Sequence, residues 1–228
     1  MQNPINQKLD NFFSQFRERR FKKGQVIIRA EDEPGGVYYL TSGFVRFYSI
    51  FEDGKELTLN IFKPGSYFPM LWALADIPNV YFFEPITNVS VRQAPKSKVL
   101  EFIKINPDIF YELTKRLMVG FAGLMVRFEQ LLTQNAQKKV ASVFYLSARR
   151  FGDKNGNGQT IISFPLTHQE IANLANLTRE TTSLEIKKLE VAGTISKKNR
   201  LWTVNDLGKL KEESYLYTDG KTFSHTFQ

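Results

Sequence analysis

The sequence predicts an α+β protein: an N-terminal antiparallel β-roll, one long helix, then a C-terminal pair of short helices followed by a β hairpin. Three observations predict it. The first hundred residues hold short runs rich in β-branched and aromatic residues, broken by glycine- and proline-bearing turns. Residues 106–135 carry apolar side chains at near-heptad spacing. Residues 166–196, LTHQEIANLANLTRETTSLEIKKLEVAGTIS, contain two short helical patterns back to back.

The β elements come first. QVIIRA, GVYYLTSGFVRFYSIF, ELTLNIF and VSVRQAP read as strands, punctuated by Gly24, Pro34-Gly35-Gly36, Gly43, Asp53-Gly54 and Pro64-Gly65. FEDGKE predicts a tight hairpin, because Asp-Gly supplies the positive φ angles such turns demand. Short strands about ten residues apart favour a barrel or roll over a parallel sheet with crossover helices.

The pattern changes at 106. Asn106 suits a helix cap, Pro107 the first helical position, and Asp108 the positive end of the dipole. Leu113, Leu117, Phe121, Leu124, Phe128 and Leu131 then recur three or four residues apart, along a helix of roughly 40 Å. Phe110 lies on the same stripe, and Met118, Met125 and Leu132 make a second one. A core helix within one chain would need only one apolar face. Two faces favour a long dimerisation helix, with one stripe on the β domain and the other on a partner. Gly120 and Gly123 each cost this helix about 1 kcal/mol against alanine; they admit either close helix approach or a ligand.

QKKVASVFYLSARRFG reads as a further amphipathic helix and DKNGNGQ as a loop. Thr167 and Glu170 form a T-x-x-E capping box, so a helix starts there, with Ile171 and Leu174 facing inward and its end near Asn176. Thr178 caps a second helix whose inner face is Ile186 and Leu189 and whose stop is Gly193. Two short helices joined by so brief a turn form a helix-turn-helix, which lays the start of its second helix in a DNA major groove. Arg179 can donate twice to guanine O6 and N7, and Glu180 can accept from cytosine N4. Thr167, Gln169, Thr178 and Thr181 suit phosphates, which fix register without reading sequence. His168, Ser183 and Lys187 complete the helical set of candidate DNA contacts. TISKKNRLWTVND adds a wing, a hairpin whose Lys197, Lys198 and Arg200 would meet the phosphate backbone. The bland alternative is a helical hairpin with a structural role only. The capping box, the T-R-E-T start and the basic wing together argue against it.

Composition narrows the function. Lys plus Arg number 31 against 23 Asp plus Glu, for a net charge of +8, which favours an anionic partner; the excess is only mildly biased toward the C-terminal region. Cysteine is absent, which excludes disulfides, thiolate metal sites and a cysteine nucleophile. His168 and His225 are the only histidines and lie far apart, so neither a metal nor another cofactor is expected, and an enzyme is hardly supported. MQNPINQKLDNFFSQF has no signal-peptide core, and the longest nearly apolar run, LMVGFAGLMV, is too short to span a bilayer. A soluble, cytoplasmic protein with no membrane partner is expected.

LTHQEIANLANLTRETTSLEIKKLEVAGTI resembles the winged helix-turn-helix of the CRP/FNR family of bacterial transcription regulators. GQVIIRAEDEPGGVYYLTSGFVRFYSIFEDGKELTLNIFKPGSYF is similar to that family's cyclic-nucleotide-binding-type β-roll, and NPDIFYELTKRL to the start of its dimerisation helix. The resemblance covers roughly residues 20–205. It implies a β-roll sensor domain over 1–105, a dimerisation helix over 106–135 and a DNA-binding domain over 136–228. The implied partners are a second copy of the chain and double-stranded DNA with a palindromic operator. RNA polymerase and a small-molecule effector are further candidates.

The sequence also departs from the family. Its cyclic-AMP binders carry Gly-Glu-Leu and, about ten residues on, Arg-Ser or Arg-Thr, for ribose and phosphate. Here PGSYFPMLWALADIPNVYFF places Pro69 and Met70 at the Gly-Glu positions and Val80-Tyr81 near the Arg-Ser positions. A buried phosphate without a cation costs several kcal/mol, so cyclic AMP is not the expected effector. Candidate effector-pocket residues are instead Tyr67, Phe68, Met70, Leu71, Trp72, Tyr81 and Phe83, with Phe121, Leu124 and Met125 from the helix. They would hold a hydrophobic effector, or fill a roll that has lost its ligand. Arg179, Glu180 and Ser183 match base-reading positions of one branch or another, while the family's usual second arginine falls on Leu184. The competing function is a small-molecule sensor that acts mainly through a protein partner.

Overall fold

The computed structural model describes residues 4–132 and 135–214, so positions 133–134 of the predicted long helix, and His225, lie outside the described residues. The chain divides at Arg116/Leu117 into two compact units.

The first unit begins with α1 (Pro4–Ser14), followed by β1 (Glu18–Phe21), β2 (Val37–Ser42), β3 (Val45–Ile50), β4 (Glu56–Phe62) and β5 (Tyr67–Phe68). α2 (Met70–Ala75), β6 (Phe82–Pro85), β7 (Val89–Ala94) and α3 (Lys96–Ile105) complete it, with the start of α4 (Pro107–Leu132). Its strands form two antiparallel sheets, ordered β1-β7-β2-β5 and β4-β3-β6. This is the predicted roll.

β2 shows how the sequence makes two cores from one strand. Successive side chains point to opposite faces. Tyr38 and Leu40 join Phe21, Ile28, Phe68 and Phe83 in one cluster, against which Phe47, Phe62 and Tyr81 pack. Val37 and Tyr39 face the helices, joining Leu9 and Phe13 of α1, Ala73 of α2, Val99 and Ile103 of α3 and Ile109 of α4.

Several local expectations need correction. QVIIRA is not a strand: it makes a single bridge, Ile28 to Phe83. The outer strand is the charged ERRF of β1, which pairs with β7. FEDGKE does turn the β3–β4 hairpin, through a three-residue loop that needs one positive φ angle and not several. Phe51 N–H donates to the Lys55 carbonyl at 2.9 Å, and Gly54 alone takes a positive φ, 78°. Asp53 contributes its side chain, which accepts from Lys55 N at 3.1 Å. Asn106 does not cap the long helix with its side chain; its Nδ2 donates to Phe102 O at the end of α3, and its backbone carbonyl accepts from α4.

The second unit holds the rest of α4, then α5 (Ala136–Phe151), β8 (Gly152–Lys154), β9 (Thr160–Ile162), α6 (His168–Ala175) and α7 (Arg179–Val191). β10 (Ile195–Lys198), β11 (Leu201–Val204) and α8 (Leu207–Glu213) close it. Within DKNGNGQ, Asp153 and Lys154 belong to β8 and residues 155–159 turn a small hairpin, β8–β9, in a sheet ordered β10-β11-β9-β8. α5 is the hub, packing against α6, α7 and α8 through a face that includes Val140, Phe144 and Ala148. Lys139 Nζ donates to Leu131 O at 3.1 Å, satisfying a carbonyl at the end of α4. No helix among the described residues is long and apolar enough to cross a membrane.

Candidate nucleic-acid interface

The helix-turn-helix is built by its caps. Thr167 Oγ1 accepts from Glu170 N while Glu170 Oε2 accepts from Thr167 N, the reciprocal box the sequence predicts. α6 ends on Asn176 in the left-handed conformation. Two residues on, Thr178 Oγ1 accepts from Thr181 N and starts α7. α7 ends in a Schellman arrangement: Thr194 N donates to Leu189 O, Gly193 N to Glu190 O, and Gly193 sits at φ 70°.

α7 buries Thr182, Glu185, Ile186 and Leu189 and presents Arg179, Glu180, Leu184, Lys187 and Lys188 outward. The wing is the β10–β11 hairpin, turned by Asn199 and Arg200, both at positive φ as a two-residue type I′ turn requires. Lys198 and Arg200 are exposed at its tip.

Trp202 joins these parts, a role the sequence reading missed. Its only signal there was a tryptophan alternating with threonine in the short run LWTV. It is buried, its ring meets Phe144 edge-on at 5.1 Å, and its Nε1 donates to Leu166 O at 2.8 Å. Its cross-strand neighbour Lys197 places Nζ 4.5 Å from the ring centroid, and the His168 ring stacks at 6.0 Å. One indole thus positions a wing lysine and the first residue of α6.

Thr167, His168, Gln169, Arg179 and Lys197 consequently line one hollow of about 590 Å³. The α6 N-terminus faces it with positive partial charge, and Arg179 and Lys197 add full charges. The Thr167 hydroxyl accepts the capping bond with a lone pair, so its proton remains to donate. Such a set suits a phosphate oxygen.

The remaining predicted contacts are placed as follows. His168 Nδ1 lies 2.8 Å from Ser183 Oγ, which itself donates to Arg179 O, so Nδ1 is the donor. Burial lowers the imidazole pKa, with help from Lys197 and Arg179 and against Glu190. In the neutral ring Nε2 offers a lone pair, not a proton, so the ring has no N–H left to donate to an anion. Gln169 Nε2 donates to Asn173 at 2.7 Å, and Thr178 and Thr181 share a hydroxyl bond at 3.0 Å.

Within the first unit, the candidate effector residues are divided between two cores. Phe68, Tyr81 and Phe83 belong to the aromatic cluster of the roll, with Phe68 and Phe83 stacked at 5.0 Å. Tyr67, Met70 and Trp72 pack on the helical side, and Leu71 is exposed. Phe121, Leu124 and Met125 belong to the second unit and are exposed. Among the dimer-helix candidates, Leu117, Phe121, Leu124 and Phe128 are exposed and Leu131 is half-buried. Leu113 differs: it packs on the helical core of the first unit.

Comparison with known proteins agrees with this architecture. Residues 18–106 match a cyclic nucleotide-binding domain and residues 138–213 a Crp-like helix-turn-helix domain. The transcriptional regulator SdrP of Thermus thermophilus is 29% identical over 195 residues, covering 84% of this chain and 91% of its own. The HTH-type transcriptional regulator ArcR of Staphylococcus haemolyticus is 28% identical over 193 residues, covering 85% and 84%. A solved structure of a CRP/FNR-family transcriptional regulator from Thermus thermophilus is 27% identical, covers 87% of this chain and 98% of its own, and superposes with a TM-score of 0.66.

Proposed function

Because this chain belongs to the CRP/FNR family of transcription regulators, we propose that it acts in the cytoplasm as a homodimeric, sequence-specific DNA-binding regulator that does not respond to cyclic AMP. The observation that carries the DNA reading is the hollow lined by Thr167, His168, Gln169, Arg179 and Lys197, beside the outward face of α7. The hollow seats a phosphate; Arg179 and Glu180, exposed at the start of α7, read the neighbouring base edges.

The dimer reading rests on α4. A stripe of exposed apolar side chains along one helix, with Phe121 at 58% and Phe128 at 57% exposure, costs solubility unless a partner covers it. Residues 1–105 then serve as sensor, 106–135 as the dimer seam and 136–228 as the DNA-binding part.

A cyclic nucleotide does not fit the roll in the family's usual manner. Met70, where the ribose-binding carboxylate would stand, packs with Trp72 on the helical core; Val80, near the arginine position, is exposed and uncharged. The roll interior is filled by stacked aromatic rings, Phe62, Phe68 and Phe83 among them.

The deciding experiment is selection of bound duplexes from a random pool, followed by titration of the enriched duplex and a scrambled one at several salt concentrations. Enrichment of an imperfect palindrome that binds tighter than the scramble is expected. Equal, purely salt-dependent binding to both would leave the competing reading, a sensor that signals through a protein partner.

A further inference from the structure

We propose that Leu184 is a specificity-determining residue that reads the C5-methyl group of a thymine in the major groove; this rests on the reading of α7 as the DNA-reading helix. Leu184 is 63% exposed and lies on the outward side of α7, away from Ile186, which is fully buried. It stands one turn after Glu180 and three residues before Lys187, so its neighbours on the helix surface are a charged acceptor and a charged donor. It contributes little to the core.

A single exposed leucine is ordinary on a protein surface. This one occupies the face that Arg179 and Glu180 present to base edges. Its side chain has neither donor nor acceptor, so it cannot read guanine, adenine or cytosine by hydrogen bonds. The apolar feature in the major groove is the thymine methyl group. A base pair read by Leu184 is therefore a thymine pair, adjoining the pair read by Arg179 and Glu180. A cytosine placed there would lose the methyl contact and turn its amino group toward a side chain that cannot accept a hydrogen bond.

The test uses the full chain and the selected duplex. Each thymine of the half-sites is replaced in turn by deoxyuridine, which removes only the methyl group. For the unsubstituted protein, one position per half-site should lose roughly fourfold in affinity, the worth of about one buried carbon. For Leu184→Ala, the same replacement should change nothing, while the remaining deoxyuridine positions behave alike in both proteins. Equal losses at every position in the two proteins would overturn the assignment, as would a selected half-site without thymine. If no duplex is enriched at all, the DNA reading itself fails and takes this inference with it; enrichment without coupling to Leu184 removes the inference alone.

Discussion

His168 Nδ1 lies 2.8 Å from Ser183 Oγ, so the first residue of α6 is tied to the second turn of α7. The bond links the two helices by a side-chain contact, and its histidine is titratable. Burial first, then Lys197 and Arg179, holds the imidazole below its ordinary value of 6.5. The unfolded chain therefore takes up the proton more readily than the folded one. Stability associated with His168 is present above 6.5 and is lost as the pH falls from there toward the lowered folded value. Thermal midpoints measured from about pH 7.5 to about pH 5 should fall more steeply for the unsubstituted protein than for His168→Gln. Parallel curves would show that the ring titrates as freely as in water.

The α4 stripe makes a second prediction. Sedimentation equilibrium at micromolar concentration should give twice the 26.4 kDa chain mass. Leu124→Glu with Phe128→Glu places charges where two copies would bury apolar surface, and should return the monomer. Both positions are exposed in the single chain, so its fold should survive. A dimer that persists in the double variant would move the interface elsewhere.

What was legible follows from which physical signal each element carries. α4 and the α6–α7 pair were readable because long periodicity and reciprocal caps are written locally, as in Thr167 and Glu170. α1 and α3 were not singled out: each is only about three turns long, with a short apolar stripe, Ile5, Leu9 and Phe13 in one and Val99 with Ile103 in the other. β1 was hidden because an outer strand can be charged along most of its length, and ERRF buries only Phe21. The apolar QVIIRA run misled for the converse reason: burial there is met without a strand ladder. The division of the aromatic run between two cores was hidden by alternation, since Tyr67 and Phe68 are adjacent and so face different cores. The recognition side chains were legible as types, but the Trp202 platform beneath Lys197 and His168 depends on cross-strand register, which one sequence does not display.

Cyclic AMP should show no measurable binding by calorimetry at physiological concentration. Met70 and Val80 supply neither the carboxylate for ribose nor the cation for phosphate, and a buried unpaired phosphate costs several kcal/mol. A micromolar dissociation constant would mean that other charged groups in the roll take over both roles.

Gly193 isolates a backbone effect. Its φ is 70°, and a Cβ built there meets no atom within 4 Å. Gly193→Ala therefore creates no clash, and its cost is the left-handed backbone alone, about 1–2 kcal/mol in denaturant unfolding. Gly193→Asn should cost less, because asparagine tolerates that region. Equal stability of all three proteins would mean that the Schellman turn re-forms in another conformation.

The last prediction separates reading from anchoring. Arg179 opens α7 and is exposed beside Glu180, whereas Lys197 projects from the wing across the Trp202 ring. Arg179→Ala should cost roughly 1–3 kcal/mol on the selected duplex and narrow its margin over a scrambled one. Lys197→Ala should weaken both duplexes alike and lower the salt slope by about one unit, the signature of one lost phosphate contact. If the protein binds as a dimer, its reading helices enter half-sites about 34 Å apart, and both effects are felt once per half-site. Measuring the two variants against both duplexes across several salt concentrations distinguishes the roles. An equal loss on both duplexes for Arg179→Ala would make Arg179 a phosphate anchor and leave sequence readout to Glu180 and the residues one turn further along α7.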